Sequence, residues 1–211
     1  LVLCKILNMK RIFTLLIFAS LTSCNSNASK SNTPDASPVS ASDAVYTIQQ
    51  DQSQLVWTGR ELSTSSHFGT IDFQSGQFEI NDGLISRGEF TVDMTTINNQ
   101  DLPEDARPRL EGHLKSDDFF SVESHPTATL SISGSELVSD GVWQVMGELT
   151  IKGYTHPVQF EMLNSEDGWN ANLVFDRSKY DVRFRSGTFF QNLGDKLIFD
   201  EIELAINFKT S

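Results

Sequence analysis

The 211-residue chain predicts an all-β fold of roughly eight antiparallel strands interrupted by one short helix. Three observations lead there. From Tyr46 onward, apolar and polar residues alternate with a period of two in one short stretch after another. Asn, Asp and Gly residues that favour turns separate those stretches, and helical spacing is confined to residues 106–115. Strands with one polar and one apolar face, joined mostly by short turns, build either an antiparallel barrel or a sandwich, and periodicity alone does not separate the two.

Taken in order, Tyr46 and Ile48 alternate with Thr47 and Gln49, and Leu55 and Trp57 lead to Gly59. Residues 67–73 and 77–80 read as two stretches flanking a turn at Ser75 and Gly76. Asn81, Asp82 and Gly83 form a strong hairpin signal. Gly88, Phe90, Val92 and Met94 share one face of the next strand, opposite Glu89, Thr91 and Asp93. Ala128, Leu130 and Ile132 oppose Thr127, Thr129 and Ser131 in a strand that Pro126 starts. Trp143, Val145, Gly147, Leu149 and Ile151 follow, and residues 153–156 read as a turn. Val158, Phe160 and Met162 come next, then Trp169, Leu173 and Phe175. Ile202, Leu204, Ile206 and Phe208 form the apolar face of the last strand.

The span 110–130 departs from this pattern. Residues 106–115 suit a turn or two of helix with Leu110 and Leu114 four apart, and Ser116 stops it. Asp117 and Asp118 favour a turn, while Phe119 and Phe120 are too apolar to leave in water. Leu110, Leu114, Phe119 and Phe120 are therefore expected to cap one end of the strands. If Phe120 is fully buried there, its truncation to Ala costs about 3 to 5 kcal/mol.

The N-terminal part is organised differently. Met9, Lys10 and Arg11 precede an apolar run of about a dozen residues, short of the ~20 a spanning helix needs, and small residues follow; this reads as a signal peptide over residues 1–23. Residues 1–8 lie upstream of that complete signal and read as an over-extended start, with Met9 the true one. Leu21, Thr22, Ser23 and Cys24 fit a bacterial lipobox, which makes Cys24 the lipidation site; the alternative is an ordinary secreted protein with a chance cysteine. Residues 24–44 are mostly Ser, Asn, Ala, Pro and Thr, a composition that cannot bury apolar area and reads as a tether. The barrel or sandwich domain then occupies residues 45–211. With Cys24 acylated and Cys4 upstream of the start, no thiol is left for redox chemistry or metal ligation.

Net charge is −12. Beyond the signal peptide 13 Lys and Arg face 28 Asp and Glu, a charge of −15. Such a surface repels nucleic-acid phosphates and anionic headgroups, so no nucleic-acid partner is expected and membrane attachment calls for the anchor.

Several motifs resemble one family. HLKSDDFF at 113–120, HPTATLSI at 125–132 and GELTIKGYTHPVQF at 147–160 occur in the order found in YceI-like proteins, and the likeness extends from about Tyr46 to Phe208. DRSKYDVRFRSGTFFQNLGDK at 176–196 resembles the longer C-terminal form of lipoprotein members from Bacteroidetes-like bacteria. The resemblance implies a lipocalin-like eight-stranded barrel that takes up polyisoprenoids or other long-chain lipids in the periplasm. Asp51, Gln52 and Ser53 stand where many members carry a DHS tripeptide, and Arg60 or Glu61 stands where they carry a His, so contacts of those histidines are not transferred.

No catalytic constellation is present. His67, His113, His125 and His156 lack HxH or HExxH spacing, and no GxSxG elbow occurs. A zinc site from His113, Asp117, Asp118 and His125 is conceivable from their closeness, but turn formation already accounts for both aspartates. No metal or cofactor is therefore expected, and no enzyme activity. Apolar area remains. An eight-stranded barrel encloses room for side chains or for one small ligand, so Trp57, Phe78, Phe90, Met94, Trp143, Phe160 and Phe175 either fill the interior or line it. The resemblance implies lining. Arg183 and Arg185 are candidates to hold a charged head at the mouth, with Tyr180, Val182 and Phe184 on the opposite face; the alternative is two solvated arginines paired with surface acids.

The function expected is that of a non-enzymatic lipid-binding lipoprotein, held by its anchor in the bacterial cell envelope. The sequence at Asn25 points to the outer membrane, facing the periplasm. A homodimer is left open. Two rival readings remain: a packed structural or interaction module, and an enzyme acting on an isoprenoid.

Overall fold

The computed structural model describes residues 38–63 and 65–211. The signal peptide, Cys24 and most of the tether expected from the sequence lie outside the described residues. Eight strands run β1 (Ala44–Arg60), β2 (Ser66–Asn81), β3 (Leu84–Asn99), β4 (Thr127–Ser139), β5 (Val142–Ile151), β6 (Tyr154–Ser165), β7 (Gly168–Asp176) and β8 (Glu201–Thr210), with one helix, α1 (Arg107–Lys115), between β3 and β4. Each strand pairs antiparallel with its sequence neighbour, and β8 closes on β1. The sheet is thus a barrel, as the resemblance implied, and closure leaves no edge strand exposed.

Tight turns set the register. Asp82 and Gly83 (φ 52° and 75°) join Asn81 to Leu84, and Lys152 and Gly153 (φ 52° and 77°) join Ile151 to Tyr154. Two consecutive positive φ values are the mark of the type I′ hairpin, whose twist matches that of its strands. The second turn lies earlier than the sequence indicated. Residues 154–156 already pair with β5, because Lys152 and Gly153 make the turn by themselves, with Lys152 in the left-handed conformation.

A second correction concerns Ser75 and Gly76. They do not turn the chain; β2 runs straight through them, with Gln74 accommodated between the Phe73–Val92 and Ser75–Thr91 pairs as a bulge. Gly76 is there for space: a Cβ would lie 2.6 Å from Phe90 Cδ1 and 2.8 Å from Ile48 Cδ1. The glycine marks a close approach inside the barrel, which in sequence looks the same as a turn.

The two ends of the barrel differ. At one end aromatic rings fill the interior. Phe78 packs edge-on to Trp169 with centroids 4.7 Å apart, Trp169 meets Trp143 at 5.5 Å, and Tyr46 stacks on Phe78 at 5.1 Å. Trp143 Nε1–H donates to Gly83 O at 2.9 Å, so the only polar atom of that indole is satisfied. These rings make a floor.

The other end is covered by α1, by residues 116–126, and by the 177–200 segment between β7 and β8. Helix α1 begins with Pro108 in its first turn, where the missing N–H costs nothing. It ends at Ser116 as expected, and Glu111 ties it to the barrel by accepting from Asn99 N–H at 2.8 Å. Arg177 anchors the second cover. It is fully buried and donates to Phe199 O, Val182 O and Ile198 O, each at 3.2 Å, with Asp200 Oδ1 also 3.2 Å away. Burial depresses the basicity of this guanidinium, and the Asp200 and Asp176 carboxylates oppose that shift. Tyr180 and Val182, also fully buried, pack beneath it. Burial, with Asp176 nearby, pushes the Tyr180 phenol up to about 12.

Candidate functional site

Between floor and cover lies a cavity of about 670 Å³, within the range of sites that enclose small organic ligands. Its walls come from the inward faces of the strands. Trp57, Phe90, Met94, Phe160 and Phe175 line it, whereas Phe78 and Trp143 do not: both stand lower, in the floor. The choice between a filled and a lined interior is therefore resolved by height. The lower barrel is filled and the upper barrel is hollow.

The hollow also shows in exposure. Val92, Leu130, Ile202, Leu204 and Ile206 lie on the inward side and line the cavity, yet each is only half-buried. Their open surface is internal. Ala128 and Ala171, both buried, help create the space, since larger residues at these wall positions would project into it. From the sequence, Ala128 belongs to an apolar strand face, but neither alanine stands out as a maker of space. The signal was there, because each occupies an apolar-face position in its strand with a side chain too small to meet the opposite wall.

The four cap residues form the ceiling. Leu110, Leu114, Phe119 and Phe120 all line the cavity. Leu114 and Phe119 are buried, but Phe120 is only half-buried, so Phe119 is the plug. Its ring packs against His113 at 5.1 Å and Phe184 at 5.5 Å, and the Arg177 guanidinium stands 5.7 Å from its centroid. That last contact joins the two halves of the cover.

Charged and polar side chains gather where the cavity opens. Arg60 and Arg109 both line it and are exposed, which locates the mouth among β1, the start of β2 and α1. Arg60 pairs with Glu203 at 2.7 Å. Arg185 lies 3.9 Å from Glu61 and stacks over Phe184 at 5.0 Å. His67 Nδ1 is 2.8 Å from Asp101 Oδ2. Burial alone would raise the Asp101 carboxyl, but hydrogen bonds from His67, Phe68 N–H and Asn99 outweigh it and hold the group below the usual carboxylate range. One donor in the wall is left over: of the buried polar side-chain atoms without a partner among the described residues, only Trp57 Nε1 belongs to the cavity lining.

The two head-group candidates part company. Arg185 reaches the mouth. Arg183 does not line the cavity; it pairs with Asp181 and lies over the Phe189 ring at 5.0 Å. The alternation of Tyr180, Val182 and Phe184 is not that of a strand either. Residues 177–180 form a 3₁₀ turn, and Asp181 takes a left-handed conformation that aims Val182 inward. Around the conceivable zinc ligands, His113 Nε2 is 3.6 Å from Asp118 Oδ2. Among the described residues no group of three or more His, Cys, Asp or Glu side chains converges as a metal site would require. No described helix is long and apolar enough to cross a membrane.

A closed up-and-down barrel that is floored, capped and hollow between defines a lipocalin-like, cavity-bearing protein. The chain belongs to the YceI-like domain family, whose domain matches residues 46–210. It is 25% identical over 151 residues to a UPF0312 protein of Pectobacterium carotovorum, covering 70% of this chain and 74% of that one. A UPF0312 protein of Staphylococcus epidermidis is 26% identical over 152 residues, covering 66% and 82%. Among solved structures, BcnA of Burkholderia cenocepacia superposes with a TM-score of 0.62 at 17% identity, over 76% of this chain and 98% of that one. A polyisoprenoid binding domain from Saccharophagus degradans does so with a TM-score of 0.52 at 12% identity, over 81% and 100%. At these identities the likeness to the two structures is one of fold.

Proposed function

We propose that the protein is a non-enzymatic carrier that holds a polyisoprenoid or other long-chain apolar ligand inside its barrel. One observation carries this reading: a continuous apolar wall, including the half-buried Ile202, Leu204 and Ile206, faces an interior space instead of a packed core. The polyisoprenoid binding described for the Saccharophagus domain supports the ligand class. Burial at about 0.8 kcal/mol per CH₂ makes one isoprene unit worth a few kcal/mol before ordering costs. Selectivity for the tail is then loose, and the mouth, where Arg60, Arg109 and Arg185 stand, receives the polar head.

Mass spectrometry of lipids extracted from protein purified out of its native envelope tests this. A long-chain lipid is expected in the parent and is expected to be lost from Ala171→Trp, whose indole would project into the cavity while far-ultraviolet circular dichroism stays that of the barrel. A parent that is free of lipid and takes up neither prenyl nor acyl probes overturns the reading.

The cellular setting is part of the same proposal. A diacylated or triacylated Cys24 would hold the protein at the periplasmic face of the outer membrane, since two or three chains bind where one alone, with a partition constant near ~10⁴ M⁻¹, binds only marginally. Cys24→Ala in a native-like host is expected in the soluble envelope fraction, while the parent enters detergent and labels with radioactive palmitate. A soluble, unlabelled parent refutes the anchor and leaves a freely diffusing carrier.

A further inference from the structure

Beside the 177–200 segment, on the mouth side of the barrel, a group of four large apolar side chains stands in water. Leu62, Phe189, Phe190 and Phe199 are 48%, 39%, 49% and 38% exposed. The backbone ties them into one surface: Leu62 N–H donates to Leu197 O and Phe199 N–H to Arg60 O, both at 2.9 Å. The Ser186 and Thr188 hydroxyls each donate to Asp200 Oδ2 at 2.8 Å, which holds the start of the Phe189-Phe190 pair beside Phe199. Gly187 leaves no side chain between that pair and Leu197, whose Cδ1 would lie 3.1 Å from a Cβ at that position. The same segment supplies Phe184, Arg185 and Ile198 to the cavity lining. One segment therefore carries apolar side chains both into the cavity and onto the outer surface beside its charged rim.

We propose that this outer surface docks on the zwitterionic interface of a phospholipid bilayer, so that the mouth opens onto the membrane and ligand passes without crossing water. The proposal rests on the carrier reading, and the occupant follows from that shared segment. A ligand that fits an apolar cavity dissolves in a bilayer and not in water, so the rim through which it passes must meet the bilayer. Charge narrows the choice of surface. A protein of net charge −12 is repelled by an anionic membrane, which leaves apolar insertion as the attraction. The Arg183 guanidinium over the Phe189 ring joins a polar tip to an apolar body, the combination that settles at headgroup depth.

The test uses the mature chain, residues 24–211, with Cys24→Ser, so that neither the apolar signal segment nor an acyl anchor contributes. An environment-sensitive fluorophore is attached through Phe190→Cys or, at the floor hairpin, through Leu84→Cys. On mixing with phosphatidylcholine vesicles, emission from position 190 is expected to shift to the blue and gain intensity, while position 84 stays unchanged. Co-flotation with the vesicles is expected to fall about ten-fold for each ring removed by Phe189→Ser and Phe190→Ser. Neither ring lines the cavity, so the double variant should fill from detergent-dispersed prenyl lipid as fully as the parent, while its uptake from vesicles falls with docking. No shift at position 190, equal shifts at both positions, or a shift at 190 that follows protein concentration without vesicles overturns the proposal; the last result would mean that a second copy covers the patch. A parent that docks at 190 yet contains no lipid upholds the docking surface and removes the carrier reading.

Discussion

Arg177→Ala is expected to destabilise the barrel by about 3 to 5 kcal/mol, the usual cost of removing one partner from a buried ion pair. Two consequences of the substitution add up to that loss. Asp200, whose carboxylate is largely buried, is left with an uncompensated charge, and the carbonyls of Val182, Ile198 and Phe199 lose their donor together. The damage is local in origin, since all of these groups belong to the 177–200 segment and none to the floor. A chemical denaturation curve should show the lost stability, and limited proteolysis should show cleavage appearing first within that segment. Arg177→Lys should recover little, because a single ammonium cannot reach three carbonyls and a carboxylate that a planar fork spans. An unchanged denaturation midpoint for Arg177→Ala would show that the packing of Tyr180 and Val182 and the backbone bonds of Leu197 and Phe199 hold the segment without it.

Phe119→Ala is expected to cost about 3 kcal/mol, the low end for a buried aromatic ring, because one of its faces borders the cavity and has fewer packed neighbours to lose. Its effect on function should be larger than its effect on stability. The ring plugs the ceiling between His113 and Phe184, so its removal widens the opening of the cavity beside α1. Bound lipid should then dissociate faster during purification, and extracts should contain less of it. Because the Arg177 guanidinium faces the same ring at 5.7 Å, the two substitutions together should cost less than the sum of their separate effects. Strict additivity would show that the cap and the 177–200 segment are independent covers. Phe120→Ala is the control: its half-buried ring should yield a smaller loss of stability than Phe119→Ala.

Much of this architecture is legible in the chain. The alternation in 142–151 and 201–210 identifies which residues of β5 and β8 point inward, and Asn81-Asp82-Gly83 places a hairpin that forms as expected. Ser116 ends α1, and Pro126 precedes β4. Failures occur where one residue type serves two purposes. Gly76 reads as a turn because glycine permits turns, yet here it yields room to Phe90 and Ile48. Lys152 does not read as a turn residue, yet it takes a positive φ because the hairpin length requires it.

The site is less legible than the fold, for a geometric reason. A period of two separates inward from outward residues, so Phe78 and Trp143 look the same as Phe160 and Phe175 in sequence: all four lie on apolar faces. Floor and wall are distinguished by height along the barrel axis and by what stands across the interior. Both depend on strand tilt and on the stagger between neighbouring strands, which join residues far apart in the chain. Trp169 fills the space beside Phe78 and Trp143, whereas Ala171, two residues along the same strand, leaves it open beside Met162 and Ile206. Arg177 shows the same limit. Its sequence neighbours mark it as one more surface charge near a turn, and only the return of residues 198–200 over it supplies the carboxylate and two of the three carbonyls that make burial of a guanidinium tolerable. Local alternation was enough to specify an inward face and roughly eight strands, though not the unbroken run of β2. Where that face is packed and where it is hollow depended on partners brought together by closure of the barrel, which no local pattern encodes.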